Sequence, residues 1–409
     1  MAETVLSTVL KFKIPGPVLL LSCGHGATHW VAATIYILLP MIKEHFGLSY
    51  AQAGLFLTVF HISSFAANFA SGIAVDMTGR RVAVQIASLI VGGMAIVGFG
   101  LTGVYFVLYA MIGFIGAAVQ SWHPGALSYL ASEYPTRRGY VLAIHALGAN
   151  AGDAVAPLVA GILLLWLNWQ TTAFVAAVPA FIMAALLAVT LLRSDAPSGD
   201  GGKRGMTLAV YLSGYFALLR NRAVMGLTMT AGLRTMAQVG LFTFLPLYIA
   251  DVMHQSTVFM GTTLMAMQLA GMFAAPIAGH WSDRAGRLPI VFGALALTSA
   301  MILGLTFVAD PTVYVAGISL MGFFLFAIRP VIQSWMMDLV QPEFTGSATS
   351  VMFGVQSLLG ACTPLLGGFV ADSYGLVTVF YMLAGIMIFA NVFVVMLPRS
   401  GKDAVAQSD

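Results

Sequence analysis

Eight ionisable side chains sit inside long apolar runs: His25, His29, His61, His123, His145, Asp153, Arg234 and Arg329. A charge buried in such a run costs roughly 3 kcal/mol, so each of these groups suggests a function. An arginine at the middle of an apolar span must face water or a partner. Arg234 and Arg329, the latter just before Pro330, therefore suggest a basic cavity able to hold an organic anion. Asp153 lies one turn before Pro157, whose ring frees a carbonyl and bends a helix. A carboxylate in low dielectric exchanges protons more readily at neutral pH, so Asp153, with His145 and His25, is a candidate proton carrier. His25 and His29 are four residues apart and share one helix face. Each histidine suits an interhelical hydrogen bond equally well, and Asp153 suits a fixed pair with a neighbouring cation.

Gln120, Gln238 and Gln333, with Asn150, Gln268 and Gln356, are polar positions in otherwise apolar runs. Beside Tyr36, Trp122, Phe242 and Trp335 they would suit a ligand with a hydrogen-bonding head and an apolar body. Interhelical hydrogen bonding serves any single glutamine as well. Cys23 and Cys362 both fall within apolar runs and offer neither a disulfide framework nor a metal-ligand spacing. No cofactor or metal is expected.

A second kind of signal lies between the runs. Gly72-Ile-Ala-Val-Asp76-Met-Thr-Gly79-Arg80 returns as Gly279-His-Trp-Ser-Asp283-Arg-Ala-Gly286-Arg287, both reading G-x-x-x-D-x-x-G-R. Asp ending one helix and Arg opening the next can pair with each other or with neighbouring helix ends. Gly79 and Gly286 allow a tight turn, while Gly72 and Gly279 allow close helix approach. Ordinary loop composition explains basic residues but not the same motif twice, so a latch at one membrane face is expected.

The elements that position these residues follow from composition. Of 409 residues 59% are hydrophobic and 8% charged, with a mean hydropathy of +0.93. Soluble domains carry about 25% charged residues. Apolar runs of about 20 residues recur throughout, the length that crosses a roughly 30 Å hydrocarbon core as a helix, and they lack the alternation of barrel strands. The reading is an all-α polytopic membrane protein with twelve transmembrane helices. They are expected at 17–40, 50–75, 82–102, 104–131, 139–165, 170–192, 223–250, 257–281, 288–308, 312–339, 346–370 and 375–397. Residues 1–192 and 223–409 form two six-helix halves, joined by a linker at 193–222 whose polar part, Ser194–Gly205, is followed by a segment along the membrane surface. The N-terminus shows no cleavage site, so the first span serves as the insertion signal.

Basic residues set the orientation. Both termini and alternate loops hold fifteen of the eighteen Lys and Arg residues, two lie within spans, and the opposite loops hold only Lys43. Both termini and the linker are thus expected in the cytoplasm.

The halves repeat. Pro40 matches Pro246 and His123-Pro124 matches Arg329-Pro330 at an offset of 206; Asp76 and Asp283, His61 and Gln268, Pro157 and Pro364, and Gly161 and Gly368 match at 207. Two six-helix halves in the same orientation about a central axis make a transporter architecture with its site near mid-membrane. The paired turns, the repeat and the linker together resemble the major facilitator superfamily over nearly the whole chain. That resemblance places helices 1, 4, 7 and 10 around the cavity, and with them His29, His123, Arg234 and Arg329. A narrower likeness, carried by Trp122-His123-Pro124 and by Gly148-x-Asn150-Ala151-Gly152-x4-Pro157, is to bacterial drug exporters of the fosmidomycin-resistance type. Helix 4 departs from the drug–proton antiporters of the superfamily in lacking their arginine, and helix 5 only approximates their glycine-proline signature.

The expected function is secondary transport by alternating access, with proton-coupled efflux of a small organic anion or drug preferred on that likeness. Uptake of a small carboxylate by proton symport is the alternative, and a non-transporting receptor a more distant one. No H-E-x-x-H, G-x-S-x-G or phosphate-binding loop points to an enzyme. The expected partners are the substrate, protons and membrane lipid, without nucleic acid; a monomer in the bacterial inner membrane is the expected form.

Overall fold

A computed structural model describes residues 14–194, 218–340 and 345–397, the side chains at 69, 76, 194, 345–347 and 350 excepted. Residues 195–217 of the expected linker and both extreme termini lie outside the described residues. Among those described there are twelve helices long and apolar enough to cross a membrane. In chain order they are α1 Gly16–Phe46, α2 Tyr50–Thr78, α3 Arg81–Leu101, α4 Tyr105–Glu133, α5 Arg138–Leu163 and α6 Trp169–Thr190. The second set is α7 Arg222–Asp251, α8 Thr257–Ala285, α9 Arg287–Leu305, α10 Pro311–Leu339, α11 Thr345–Tyr374 and α12 Leu376–Val395.

Polar caps mark where several helices begin. Ser49 opens α2 with a capping box that includes Gln52, and Asn168, Asn221, Ser256 and Asp310 cap α6, α7, α8 and α10 with side-chain oxygens. Two helices run past the prolines expected near their ends. Pro40 and Pro246 are interior, and α1 continues to Phe46 while α7 continues to Asp251. A proline removes one backbone hydrogen bond without preventing the helix from resuming, which packed spans tolerate. The stop of α1 is instead Gly47, with φ 61°, whose N–H bonds back to Glu44 and Lys43.

Packing repeats with a shift of six helices. In the first half α1 packs on α5, α2 on α4, and α3 on α4 and α6. In the second, α7 packs on α11, α8 on α10, and α9 on α10 and α12. The halves meet chiefly where α2 crosses α11 and α5 crosses α8, two contacts exchanged by the same pseudo-symmetry. These crossings are lined by small residues. A Cβ added at Gly54 or Gly368 would strike the α11 or α2 backbone, and one at Gly161 or Gly261 would strike that of α8 or α5.

Candidate functional site

The first wall of the site is a cluster of histidines from three helices. His25 and His29 of α1 meet His123 of α4 and His145 and Asp153 of α5. Their meeting depends on how closely α1 and α5 approach. A Cβ at Gly148 would run into Ser22 O, and one at Gly152 into Gly26 O, so only bare backbone fits along this crossing. That proximity brings Asp153 Oδ1 to 3.0 Å from His29 Nδ1. His25 Nδ1 donates to the His145 carbonyl at 3.0 Å, and His25 Nε2 lies 3.3 Å from His123 Nε2. The His25 ring stacks on that of His145 with centroids 4.1 Å apart, with Trp122 stacked at a longer 6.3 Å.

His25 and His145 are buried, whereas His29, His123 and Asp153 are half-buried. The wall therefore has a concealed layer and a layer with access to solvent. Of the three residues expected to carry protons, Asp153 has that access while His25 and His145 sit behind it.

The second half supplies the opposing wall. Arg329 is exposed although it lies well inside α10, so its guanidinium looks into the space between the halves. It lies within electrostatic reach of Asp153 and of His123, its counterpart in the repeat. Arg234 is only 3% exposed. Its Nε and Nη2 both donate to Leu325 O, at 3.1 and 3.0 Å, and it lies over the Phe326 ring at 5.7 Å. Arg234 and Arg329 together line a small pocket with Gln333, Gln356, Met352 and Ile332. Arg234 is thus a positioning arginine bolted to α10 as well as a wall of the cavity.

The glutamines divide. Gln333 lines the cavity, whereas Gln120 donates to Asn68 Oδ1 of α2 at 3.0 Å and ties two helices together. Gln238 is half-buried on α7. Gln356 accepts from Thr235 Oγ1 at 3.1 Å. Trp122 and Trp335 belong to the packed interior, at 0% and 3% exposure, rather than to the cavity. Tyr36 and Phe242 meet across the halves with ring centroids 5.5 Å apart.

The matched turns lie at one end of the bundle. Gly79 and Gly286 adopt positive φ, 65° and 87°, as a tight turn needs. Arg287 pairs with Asp283 one turn back and, through Nε, with Asp338 of α10 at 3.1 Å; its Nη1 also donates to Ser282 at 2.7 Å. In the first half it is Arg81 rather than Arg80 that reaches α4, donating to Ser132 Oγ at 2.5 Å; Arg80 is exposed. The close helix approach expected at Gly72 and Gly279 is absent: a Cβ at either position meets nothing within 4 Å. Among the described residues nothing packs against those two glycines. The side chain of Asp76 lies outside the described residues.

At the opposite end the halves are joined by groups that no motif announced. Lys43 Nζ lies 3.1 Å from Asp251 Oδ2, which also accepts from Tyr50 Oη at 2.9 Å. The Asp372 carboxylate accepts from the N–H groups of Tyr50 and Ala51 at 2.8 and 2.9 Å, capping α2 from α11. Thr58 donates to Ala361 O and Thr257 to Gly161 O, each at 2.8 Å. The available signal was charge: Lys43 is the sole cation of its loops, and Asp251 and Asp372 end spans on the same side.

Comparison with known proteins agrees with this architecture. The family model described as Major Facilitator Superfamily matches residues 21–362 and 273–409. The chain is 26% identical over 362 residues to the multidrug resistance protein MdtG of Proteus mirabilis (strain HI4320), covering 86% of this chain and 87% of that one. Its identity to MdtG of Klebsiella pneumoniae (strain 342) is 24% over 388 residues, covering 91% and 90%. In fold it is similar to a bacterial homologue of the human lysosomal transporter Spinster in an inward-facing, occupied conformation, with a TM-score of 0.75 at 16% identity over 93% of this chain and 94% of that one. A mutant of the nucleoside transporter NupG also gives a TM-score of 0.75, at 13% identity over 93% of this chain and 100% of the other. With twelve apolar helices in two repeated halves and a family model spanning most of its length, this chain belongs to the major facilitator superfamily and is a multi-pass membrane transporter.

Proposed function

We propose that the protein exports a small organic anion or anionic drug in exchange for protons, across a bacterial inner membrane. The observation that carries this reading is Arg329, an exposed arginine deep in the bundle that shares a cavity with Arg234. Two guanidinium groups facing one cavity favour a carboxylate or phosphonate head, which accepts their forked donors. Gln333 adds a hydrogen-bonding group, and His29 and His123 stand on the wall across from Arg329. The relatives named as multidrug resistance proteins support export over uptake.

Proton coupling fits the placement of Asp153 within the field of Arg329. Anionic cargo weakens the hold of Arg329 on Asp153, and loss of cargo restores it, so the two charges exchange partners in a cycle. The distribution of Lys and Arg puts the Arg287 end in the cytoplasm. In that orientation the joined Lys43 end faces outward, which suits an inward-facing state. The matched turns then serve as the latch that closes the cytoplasmic end in the opposite state.

The test is flux in proteoliposomes with and without an imposed pH gradient, using a panel of labelled organic anions. Export of an anion that accelerates with the gradient in the wild type, and ignores it in Asp153→Asn, is the expected result. Gradient-independent flux in the wild type refutes the coupling, and a strict preference for cations refutes the anion site.

A further inference from the structure

We propose that His25, His29 and His123 form a binding site for a divalent transition-metal ion of the zinc class. The argument starts from which ring nitrogens carry protons. In all three histidines Nδ1 faces an accepting oxygen, that of His29 while Asp153 is ionised. For His25 this is the His145 carbonyl at 3.0 Å, for His29 the Asp153 carboxylate at 3.0 Å, and for His123 the Gln120 carbonyl at 3.3 Å. The proton of each neutral ring therefore sits on Nδ1, which leaves a lone pair on each Nε2.

Two of those lone pairs face each other. Nε2 of His25 and Nε2 of His123 are 3.3 Å apart, a separation at which two bare lone pairs repel. Nε2 of His29 is buried and has no hydrogen-bond partner. One nitrogen from each of the three rings lies within 4.8 Å of the others. Tetrahedral zinc, with Zn–N bonds of ~2.0–2.1 Å, separates its ligand nitrogens by roughly 3.3–3.4 Å. His25 and His123 already stand at that spacing, and His29 has a modest approach to make.

The surroundings match what metal-binding histidines need. Each ring is held by a second contact on its far nitrogen, a carboxylate for one and backbone carbonyls for two, which fixes the tautomer and the ring plane. Neutral imidazoles select zinc, copper, nickel and cobalt over magnesium and calcium, which want oxygen. Three protein ligands leave a fourth position. Because His29 and His123 are half-exposed towards the space between the halves, that position is open to water or to an oxygen-donor anion. The site needs no transport step to be measured, so its fate is separable from the export reading.

The experiment uses purified full-length protein in detergent, with any affinity tag removed, stripped with a chelator and titrated with Co²⁺ alone, then with Zn²⁺. The expected result is one Co²⁺ per chain with the intense visible bands of a nitrogen-rich tetrahedral site, bleached by Zn²⁺. His123→Gln abolishes the bands. Asp153→Asn retains the stoichiometry and weakens binding by about 10–100-fold through loss of the His29 support. His254→Ala, in an exposed loop, binds as the wild type does. Helical content and melting temperature report folding for each variant, and Asp153→Asn keeps the test alive if the histidine variants unfold. Absence of Co²⁺ bands in the wild type overturns the proposal, as does undiminished binding in a folded His123→Gln protein.

Discussion

Lys43 Nζ, at the end of α1, lies 3.1 Å from Asp251 Oδ2, at the end of α7, and this ion pair ties the two halves of the bundle together. The same carboxylate oxygen accepts the Tyr50 hydroxyl, whose ring lies 4.3 Å below the lysine. One oxygen thus serves two elements of the first half, and opening this end must break both contacts at once.

Removing the two partners should therefore have unequal effects. A partly exposed pair is worth about 0.2–1 kcal/mol, so Lys43→Ala should shift the population towards the form open at this end by no more than about fivefold. Asp251→Asn weakens the lysine and tyrosine contacts together and should shift it further. Distance distributions between spin labels placed at this end on the two halves would report both changes.

The two arginines of the cavity should separate in the same way. Arg329→Ala removes an exposed side chain and should leave the melting temperature nearly unchanged while abolishing the stabilisation produced by an anionic ligand. Arg234→Ala removes two charged hydrogen bonds to Leu325 O and should destabilise the protein by about 2–3 kcal/mol even without ligand. Thermal unfolding with and without ligand distinguishes the pair.

Gly152→Ala places a methyl group against the Gly26 carbonyl. The α1–α5 crossing must widen, at a cost of about 1–3 kcal/mol. The His29–Asp153 contact should lengthen with it, so the variant should lose both melting temperature and gradient-driven flux. Ala151→Gly, one position away on the same helix and exposed, is the control for helix propensity and should not affect the crossing.

The latch makes a kinetic prediction. Asp283→Asn takes one of two carboxylate partners from Arg287, and Asp76→Asn removes the carboxylate of the matched motif. Both should slow transport while leaving ligand affinity within about twofold and expression normal. Initial rates and equilibrium binding on the same preparations check this, and unchanged rates would remove the latch from the account.

The sequence showed the fold plainly because lipid allows so few alternatives. Twenty-residue apolar runs, basic loops on alternate sides and an offset of 206–207 specify helices and their repeat without reference to packing. The one clear miss at a helix end is α1, expected to stop at Pro40, which proved interior. The site was half legible. His25 and His29 share a face by spacing alone, but that they meet His145 and Asp153 depends on Gly26, Gly148 and Gly152 letting α5 come close. Arg234 and Arg329 read alike in sequence, yet one is bonded to a neighbouring backbone and the other is open to solvent. The sealed end was nearly invisible, because Asp251, Asp372, Tyr50 and Thr58 act through contacts between residues up to about three hundred positions apart.

The small-residue crossings of α2 with α11 and of α5 with α8 also bear on speed. A seam made of Gly54, Gly368, Gly161 and Gly261 brings backbone against backbone with little side-chain surface between them. When such a seam parts, few large apolar groups are stripped of neighbours, so little dewetting or sticking opposes the motion. Such a seam suits a crossing that must part and close in each cycle, and bulkier residues at those four places should hinder it.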